Sequence, residues 1–286
     1  MSVTQRNIPS GEIEGFTFFD IDGTYTYEDT GHLTFLESGR TSDDFETAMK
    51  QTHVPGRDEP ESGRGNELAI TLDQMSAEEV QEMAESASQI EVNYRSGMQA
   101  LLRGLDESER PAIAHSAGWE VPIKTVTNGY FDDKLASRLG EDGPELNGRY
   151  QKPIRMQNYM LEKGVDDPVT DSTALANFIG DSNTDSEAIR YADATGGLGI
   201  VVEDTLEDAM EVDSATAYFA DETGEHDLAA AVIYHHNSRD IEETQDFITE
   251  YDLDVSKGSS EVGELAYKNK REQYVHDLID EVRQLQ

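Results

Sequence analysis

Two acid pairs stand out because of what precedes them. Asp20-Ile21-Asp22-Gly23-Thr24 closes the apolar run Gly15–Asp20 (GFTFFD), and Gly180-Asp181-Ser182-Asn183-Thr184-Asp185 follows Leu175–Ile179. A carboxylate at the carboxyl end of a buried strand, with a second two residues later on a glycine-permitted turn, can act as nucleophile beside a general acid/base. If both runs are strands of one sheet, Asp20, Asp22, Asp181 and Asp185 meet near one point. Oxygen-only ligands with open positions for water suit Mg²⁺ rather than zinc or copper. Thr127-Asn128-Gly129, after the apolar stretch Val121–Val126, offers a hydroxyl and backbone amides to a phosphate oxygen. Lys152-Pro153, opening the segment Ile154–Lys163, offers the cation a transferring phosphoryl group needs, whereas Lys163 sits at the far end of that segment. The seven histidines form no ligand pair, and the adjacent His235 and His236 point in different directions on a helix and read as structural.

The elements that must position these groups follow from hydrophobic patterning. Strands are expected at Gly15–Asp20, Val121–Val126, Leu175–Ile179, Gly197–Val202 and Thr216–Ala220. Helices are expected at Glu107–Ala117, Asp132–Leu139, Ile154–Lys163, Thr184–Tyr191, Thr205–Val212 and Asp227–His235, with Thr184-x-x-Glu187 as a capping box. Such alternation predicts an α/β fold, a Rossmann-like parallel sheet with helices on both faces, whose ligands sit outside the carboxyl ends of the strands. About a hundred residues separate Thr24 from Val121, far more than a crossover needs. The excess predicts a small, mainly helical insertion over residues 25–90, between core segments 1–24 and 91–225. Residues 226–286 read as a C-terminal helical extension with a helix at Ile241–Tyr251, a linker at Asp252–Ser260 and a long helix at Glu261–Leu285. The apolar stripe Val275, Leu278, Ile279, Val282 and Leu285 either docks on the same domain or supports a homodimer, and Lys268, Lys270 and Arg271 read as a locally salt-bridged basic patch.

Composition sets the surroundings. The 286 residues carry 22 Lys and Arg against 60 Asp and Glu, a net charge of −38. The acids are dispersed and only 8 of the basic residues are Lys, a surface like those of proteins from salt-loving microbes, where concentrated salt screens self-repulsion. This charge argues against nucleic-acid partners. There is no apolar span of membrane length, no apolar leader in Met1–Glu14, and no cysteine, so a cytoplasmic protein without membrane contact, disulfides, zinc fingers or thiol catalysis is expected. In so acidic a chain an acid pair means little by itself. The apolar runs and glycine turns around the two motifs are what give them weight.

Together the four segments resemble the haloacid dehalogenase-like hydrolase superfamily, which carries D-x-D-G-T, a Ser or Thr after a strand, a Lys, and G-D-x-x-x-D in this chain order. The resemblance covers about residues 15–222. It implies that Asp20 is the nucleophile and forms an aspartyl-phosphate, and that Asp22 protonates the leaving oxygen and then activates water. It further implies that Mg²⁺ is held by Asp20, the Asp22 backbone carbonyl and Asp181, that Thr127, Asn128 and Lys152 bind the phosphoryl oxygens, and that Asp185 orients Lys152 or the metal's water shell. An acid at position 22 separates the chain from the dehalogenase branch, which lacks one there, and from cation-pump relatives, which carry Lys. The insertion after the first motif is similar to the helical cap of the phosphoserine-phosphatase branch, although Thr127-Asn128-Gly129 stands where that branch has Ser-Gly-Gly. Glu28, Asp29, Arg57 and Arg64 are the cap residues considered for reading the substrate's polar end. The implied activity is Mg²⁺-dependent hydrolysis of a small phosphorylated metabolite. The alternatives are phosphoryl transfer to an acceptor alcohol, or a catalytically idle protein of the same fold that binds a divalent cation or a partner.

Overall fold

The computed structural model describes residues 15–51, 71–127, 129–169, 174–212, 214–220, 225–256, 260–263, 266 and 270–286. Among them the strands β1 (Phe16–Phe19), β2 (Ala112–Trp119), β3 (Asp133–Gly140), β4 (Gly143–Glu145), β5 (Ala176–Gly180), β6 (Gly199–Glu203), β7 (Ala217–Ala220) and β8 (Glu261–Val262) form one sheet. Its order is β4-β3-β2-β1-β5-β6-β7-β8, and the interior pairs are parallel, with antiparallel β4 and β8 at the two edges. β1 is central, and all four of its residues are buried. A strand covered on both faces needs no polar alternation, which is why FTFF is continuously apolar.

The helices are α1 (Thr30–Glu37), α2 (Ser42–Gln51), α3 (Ala77–Ala87), α4 (Ser96–Glu107), α5 (Glu120–Val126), α6 (Gln151–Glu162), α7 (Ser186–Ala194), α8 (Leu206–Met210), α9 (Glu225–Ser238), α10 (Ile241–Glu250) and α11 (Lys270–Arg283). One sheet face presents Phe16, Phe18, Ile113, Phe178 and Val201 to α6, α7 and α8. The other presents Phe19, Ile179, Ile200, Val202 and Phe219 to α4, α9, α10 and α11. Helices α1 to α3 contribute Phe35, Phe45, Met49, Met83 and Ala87 to a third, separate cluster closed by Trp119 of β2. No helix among the described residues is long and apolar enough to cross a membrane.

The middle of the chain departs from expectation. Of the expected helix Glu107–Ala117, residues 112–117 lie in β2, and the expected helix Asp132–Leu139 is replaced by β3. Residues 121–126, expected as a strand for their Val, Ile and Thr, form α5. Pro122 lies in the first turn of α5, where its missing N–H has no intrahelical partner to lose. The capping box falls two residues early, with Ser182 and Asp185 exchanging side-chain and backbone bonds in place of Thr184 and Glu187. The described part of the carboxyl-terminal extension packs on the sheet, as one of the two readings of its apolar stripe expected. α9 is buried along most of its length, β8 pairs with β7, and Val275, Leu278, Ile279 and Val282 of α11 are buried in the same cluster, so the apolar stripe is used within the chain.

Candidate active site

The turn after β1 is built on one carbonyl. The amides of Thr24, Tyr25 and Thr26 all donate to Ile21 O, at 3.3, 3.0 and 2.9 Å, and Thr26 Oγ1 adds a fourth bond at 3.0 Å. This tight loop needs Gly23 at φ +81°, a conformation costly for a residue with a Cβ. It projects Asp20 and Asp22 beyond the carboxyl end of the central strand. Asp22 Oδ1 accepts from the Thr30 amide at the start of α1, at 2.8 Å. Arg95, almost wholly buried, donates from Nε to Gly23 O at 2.8 Å and pairs with Asp204 at 3.1 Å, so it pins the same loop from the side of β6.

The second acidic motif follows β5, the immediate neighbour of β1, and this adjacency brings the two motifs together. Lys152 enters from the first turn of α6 with its side chain fully buried, and its Nζ bonds Asp20 Oδ1 at 2.9 Å and also Asp185 Oδ1. The other Asp185 oxygen accepts from the amides of Asp181 and Ser182 at 3.3 and 3.4 Å. Packing around these carboxylates tolerates no extra carbon. A Cβ on Gly180 would lie 2.4 Å from Asp185 Oδ2, and one on Gly23 would lie 2.0 Å from Asp181 Oδ2.

Of the residues singled out in the sequence, Asp20, Asp22, Lys152, Asp181 and Asp185 share this end of the sheet. Thr127 does not join them. α5 leaves the carboxyl end of β2 and carries the chain back about 10 Å before Thr127 is reached, and the Thr127 hydroxyl, buried, donates to Ile123 O at 2.5 Å. Asn128, Arg57 and Arg64 lie outside the described residues. Glu28 binds the backbone and side chain of Asn93, and Asp29 caps α1 through the His32 amide, so both serve local structure. The hydroxyl beside the acids is that of Ser116 on β2. Ser116 Oγ donates to Asp22 Oδ2 at 3.5 Å and accepts from the Gly118 amide at 2.9 Å, and a Cβ on Gly118 would lie 2.8 Å from Asp22 Oδ2. The signal for it was present as Ser116-Ala117-Gly118, a serine followed by a permissive turn, but it fell inside a segment read as helix.

No protein-family model matches the chain, and no curated protein matches it. Among solved structures, gene product AF1437 from Archaeoglobus fulgidus is similar over 95% of both chains, with a TM-score of 0.59 at 13% identity. A HAD family hydrolase from Salmonella enterica serovar Typhi overlaps 66% of this chain and 62% of its own, with a TM-score of 0.48 at 15% identity. A phosphoserine phosphatase in apo form overlaps 69% and 90%, with a TM-score of 0.49 at 14% identity. At these identities the likeness concerns the fold, a Rossmann-like α/β sheet.

The electrostatics of the site are those of acids crowded around one cation. Burial first, then the Asp185 charge, raises Asp20 to about 8 against the pull of Lys152. Burial, then Asp29, raises Asp22 to about 7, while the Thr30 amide opposes the shift. Burial and the charges of Asp20 and Asp185 hold Asp181 well above the carboxylate range. Lys152 is pushed upward by Asp185 and Asp20, which outweigh its burial, so it stays charged. Carboxylate oxygens of Asp20, Asp181 and Asp185 lie within 4.8 Å of one another. Fully ionised, these three acids against Lys152 leave two negative charges over, and the donors are all hard oxygens, which matches a divalent cation such as Mg²⁺. Asp185 has both oxygens engaged. The second oxygen of Asp20 and the carboxylate of Asp181 are therefore the ligands available to it.

Proposed function

We propose that the protein is a Mg²⁺-dependent phosphomonoester hydrolase acting on a small phosphorylated metabolite through an aspartyl-phosphate on Asp20. The observation that carries this reading is the buried Lys152 ammonium bridging Asp20 and Asp185 at the strand ends, with Asp181 and Asp22 on either side. In this reading an Asp20 oxygen attacks phosphorus and the bond to the leaving oxygen breaks. Asp22 donates a proton to that oxygen, then takes one from the water that cleaves the acyl-phosphate. A carboxyl held at about 7 is suited to both roles near neutral pH. Lys152 and the Ser116 hydroxyl bind the phosphoryl oxygens, with Ser116 taking the part expected of Thr127. Bound Mg²⁺, held by Asp20 and Asp181, supplies charge neutralisation of a dianionic ester that bare carboxylates would repel. Asp185 keeps Lys152 in place.

We assign residues 25–90 to a cap whose own apolar cluster leans on Trp119, and the remainder, including 226–286, to the catalytic body. A helical lid beside the site would exclude water and contact the leaving group. The dispersed acidity fits a cytoplasm of concentrated salt, and a melting temperature unchanged between low salt and molar KCl would speak against that origin. The activity is tested by phosphate release from an aryl phosphate in molar KCl, with and without Mg²⁺. Release is expected to require Mg²⁺ and to vanish in Asp20→Asn. An Asp20→Asn variant as active as the wild type would overturn the assignment.

A further inference from the structure

A cavity of about 700 Å³ opens at the opposite, amino-terminal edge of the sheet, where Gly196 leads toward β6 and α9 ends. α9 starts beyond the carboxyl end of β7 and runs 14 residues, about 21 Å, so roughly that distance separates this cavity from the level of the acidic site. Its walls gather Arg239, Lys270 and Arg271 with His235 and His236, against one acid, Glu281. In a chain where 60 acids face 22 bases, that concentration of cations runs against composition.

Part of the set is engaged in local structure. Arg271 donates to the carbonyls of Gly196 and Gly197 and lies 3.5 Å from Asp193. His235 sits between the Thr244 hydroxyl at 2.8 Å and Glu281 at 3.5 Å. Arg239 and Lys270 differ. Both are exposed, and neither side chain has an acidic partner within ion-pair distance among the described residues. The expectation of local pairing thus holds for Arg271, whereas Lys270 has no such partner among the described residues and Lys268 lies outside them. Lys270 and Arg271 also occupy the first turn of α11, where the backbone amides already place partial positive charge. The buried His236 bonds Tyr274 through Nδ1 at 2.7 Å and also interacts with the Gly196 backbone, so its ring serves the fold of this wall. The rest of the wall is apolar or aromatic, with Ile241, Leu278 and the Tyr274 ring.

We propose that this cavity binds a small organic phosphate, with the phosphate between Arg239 and Lys270 and the organic body over Ile241 and Tyr274. Two cations without an acidic partner among the described residues, together with a helix amino terminus, favour an oxyanion. The volume falls in the range of small-molecule sites and exceeds what a bare oxyanion fills. The site is separate from the acidic centre and does not depend on the catalytic reading.

Isothermal titration of the full chain with adenosine monophosphate tests it, in EDTA and at fixed KCl, so that no divalent cation recruits the nucleotide to the acidic end of the sheet. One binding event per chain is expected, weakened about tenfold or more in Arg239→Gln/Lys270→Gln and in Arg239→Gln alone, since a charge-assisted hydrogen bond is lost. Ser116→Ala, at the other edge, leaves it unchanged, and inorganic phosphate binds more weakly. No heat at millimolar nucleotide, an affinity indifferent to both variants, or a loss in Ser116→Ala would overturn the proposal. Inorganic phosphate binding as tightly as the nucleotide would overturn the part given to the organic body.

Discussion

Replacing Gly23 by Ala tests whether the first acidic turn and Asp181 form one metal-binding unit. Two costs follow from the geometry and can be separated. At φ +81° an alanine costs about 1–2 kcal/mol of stability relative to glycine. The new methyl would also stand 2.0 Å from Asp181 Oδ2 and 2.8 Å from its Cγ. Contacts below 3.0 Å are essentially never found, so the carboxylate must retreat by about 1 Å. A displacement of that size can cost roughly 10²-fold in rate. Gly39→Ala supplies the control, because Gly39 has φ +78° and nothing within 4 Å of its added Cβ. Both variants should lose roughly 2–8 °C in melting temperature. Only Gly23→Ala should weaken Mg²⁺ binding, read by calorimetry, and phosphate release, read as a Mg²⁺ titration. A folded Gly23→Ala protein with wild-type Mg²⁺ affinity and turnover would refute the reasoning.

Three further outcomes are expected. Ser116→Ala should raise KM and lower kcat/KM by roughly 10²-fold, as loss of a transition-state hydrogen-bond donor does, whereas Thr127→Val should leave KM alone and cost about 1 kcal/mol in denaturant melts. Arg95→Lys keeps a charge for Asp204 but loses the fork that also holds Gly23 O, so kcat should fall about tenfold with KM little changed; equal loss in both would indicate a direct substrate contact. In EDTA, stability should decline as pH rises from about 4 to about 8. The folded chain keeps protons on Asp20 and Asp22, raised to about 8 and about 7, that the unfolded chain releases near 4, so ionising them works against the fold across that window. Mg²⁺ affinity should rise over the same range, because the metal takes the deprotonated ligands. Urea melts at several pH values, repeated in Asp22→Asn, check the sign.

The two acidic motifs were legible in the sequence for a specific reason. Phe16–Phe19 and Ala176–Gly180 are short, doubly covered strands, so each reads as an apolar run that ends abruptly in acid and glycine. Lys152 was legible as a scarce lysine ahead of a helix, though its complete burial was not. Ala112–Trp119 failed because alanine, histidine and serine give it no strand-like composition, and burial of every residue removes the alternation that would reveal it. Glu120–Val126 failed in the opposite sense. Its β-branched residues suggest a strand, while its buried Pro122, Ile123 and Val126 pack it as a helix. Ser116 was lost with the first error and Thr127 promoted by the second. The carboxyl-terminal segment looked peripheral because nothing in Glu261–Val262 announces the two-residue pairing that seals the edge at β7.

The bond from the Thr30 amide to Asp22 joins an ionisable group to the first residue of α1. That bond favours the ionised carboxyl, against the burial that favours the protonated one. Any displacement of α1 therefore changes a proton affinity as well as a shape. Burial and the charge of Asp29, the residue that caps α1, hold the proton on Asp22, while Thr30 at the start of the same helix favours its release, so both influences travel with α1. A ligand that draws α1 in or pushes it out writes its presence into the protonation state of Asp22, so geometry and proton inventory cannot change independently at this end of the sheet.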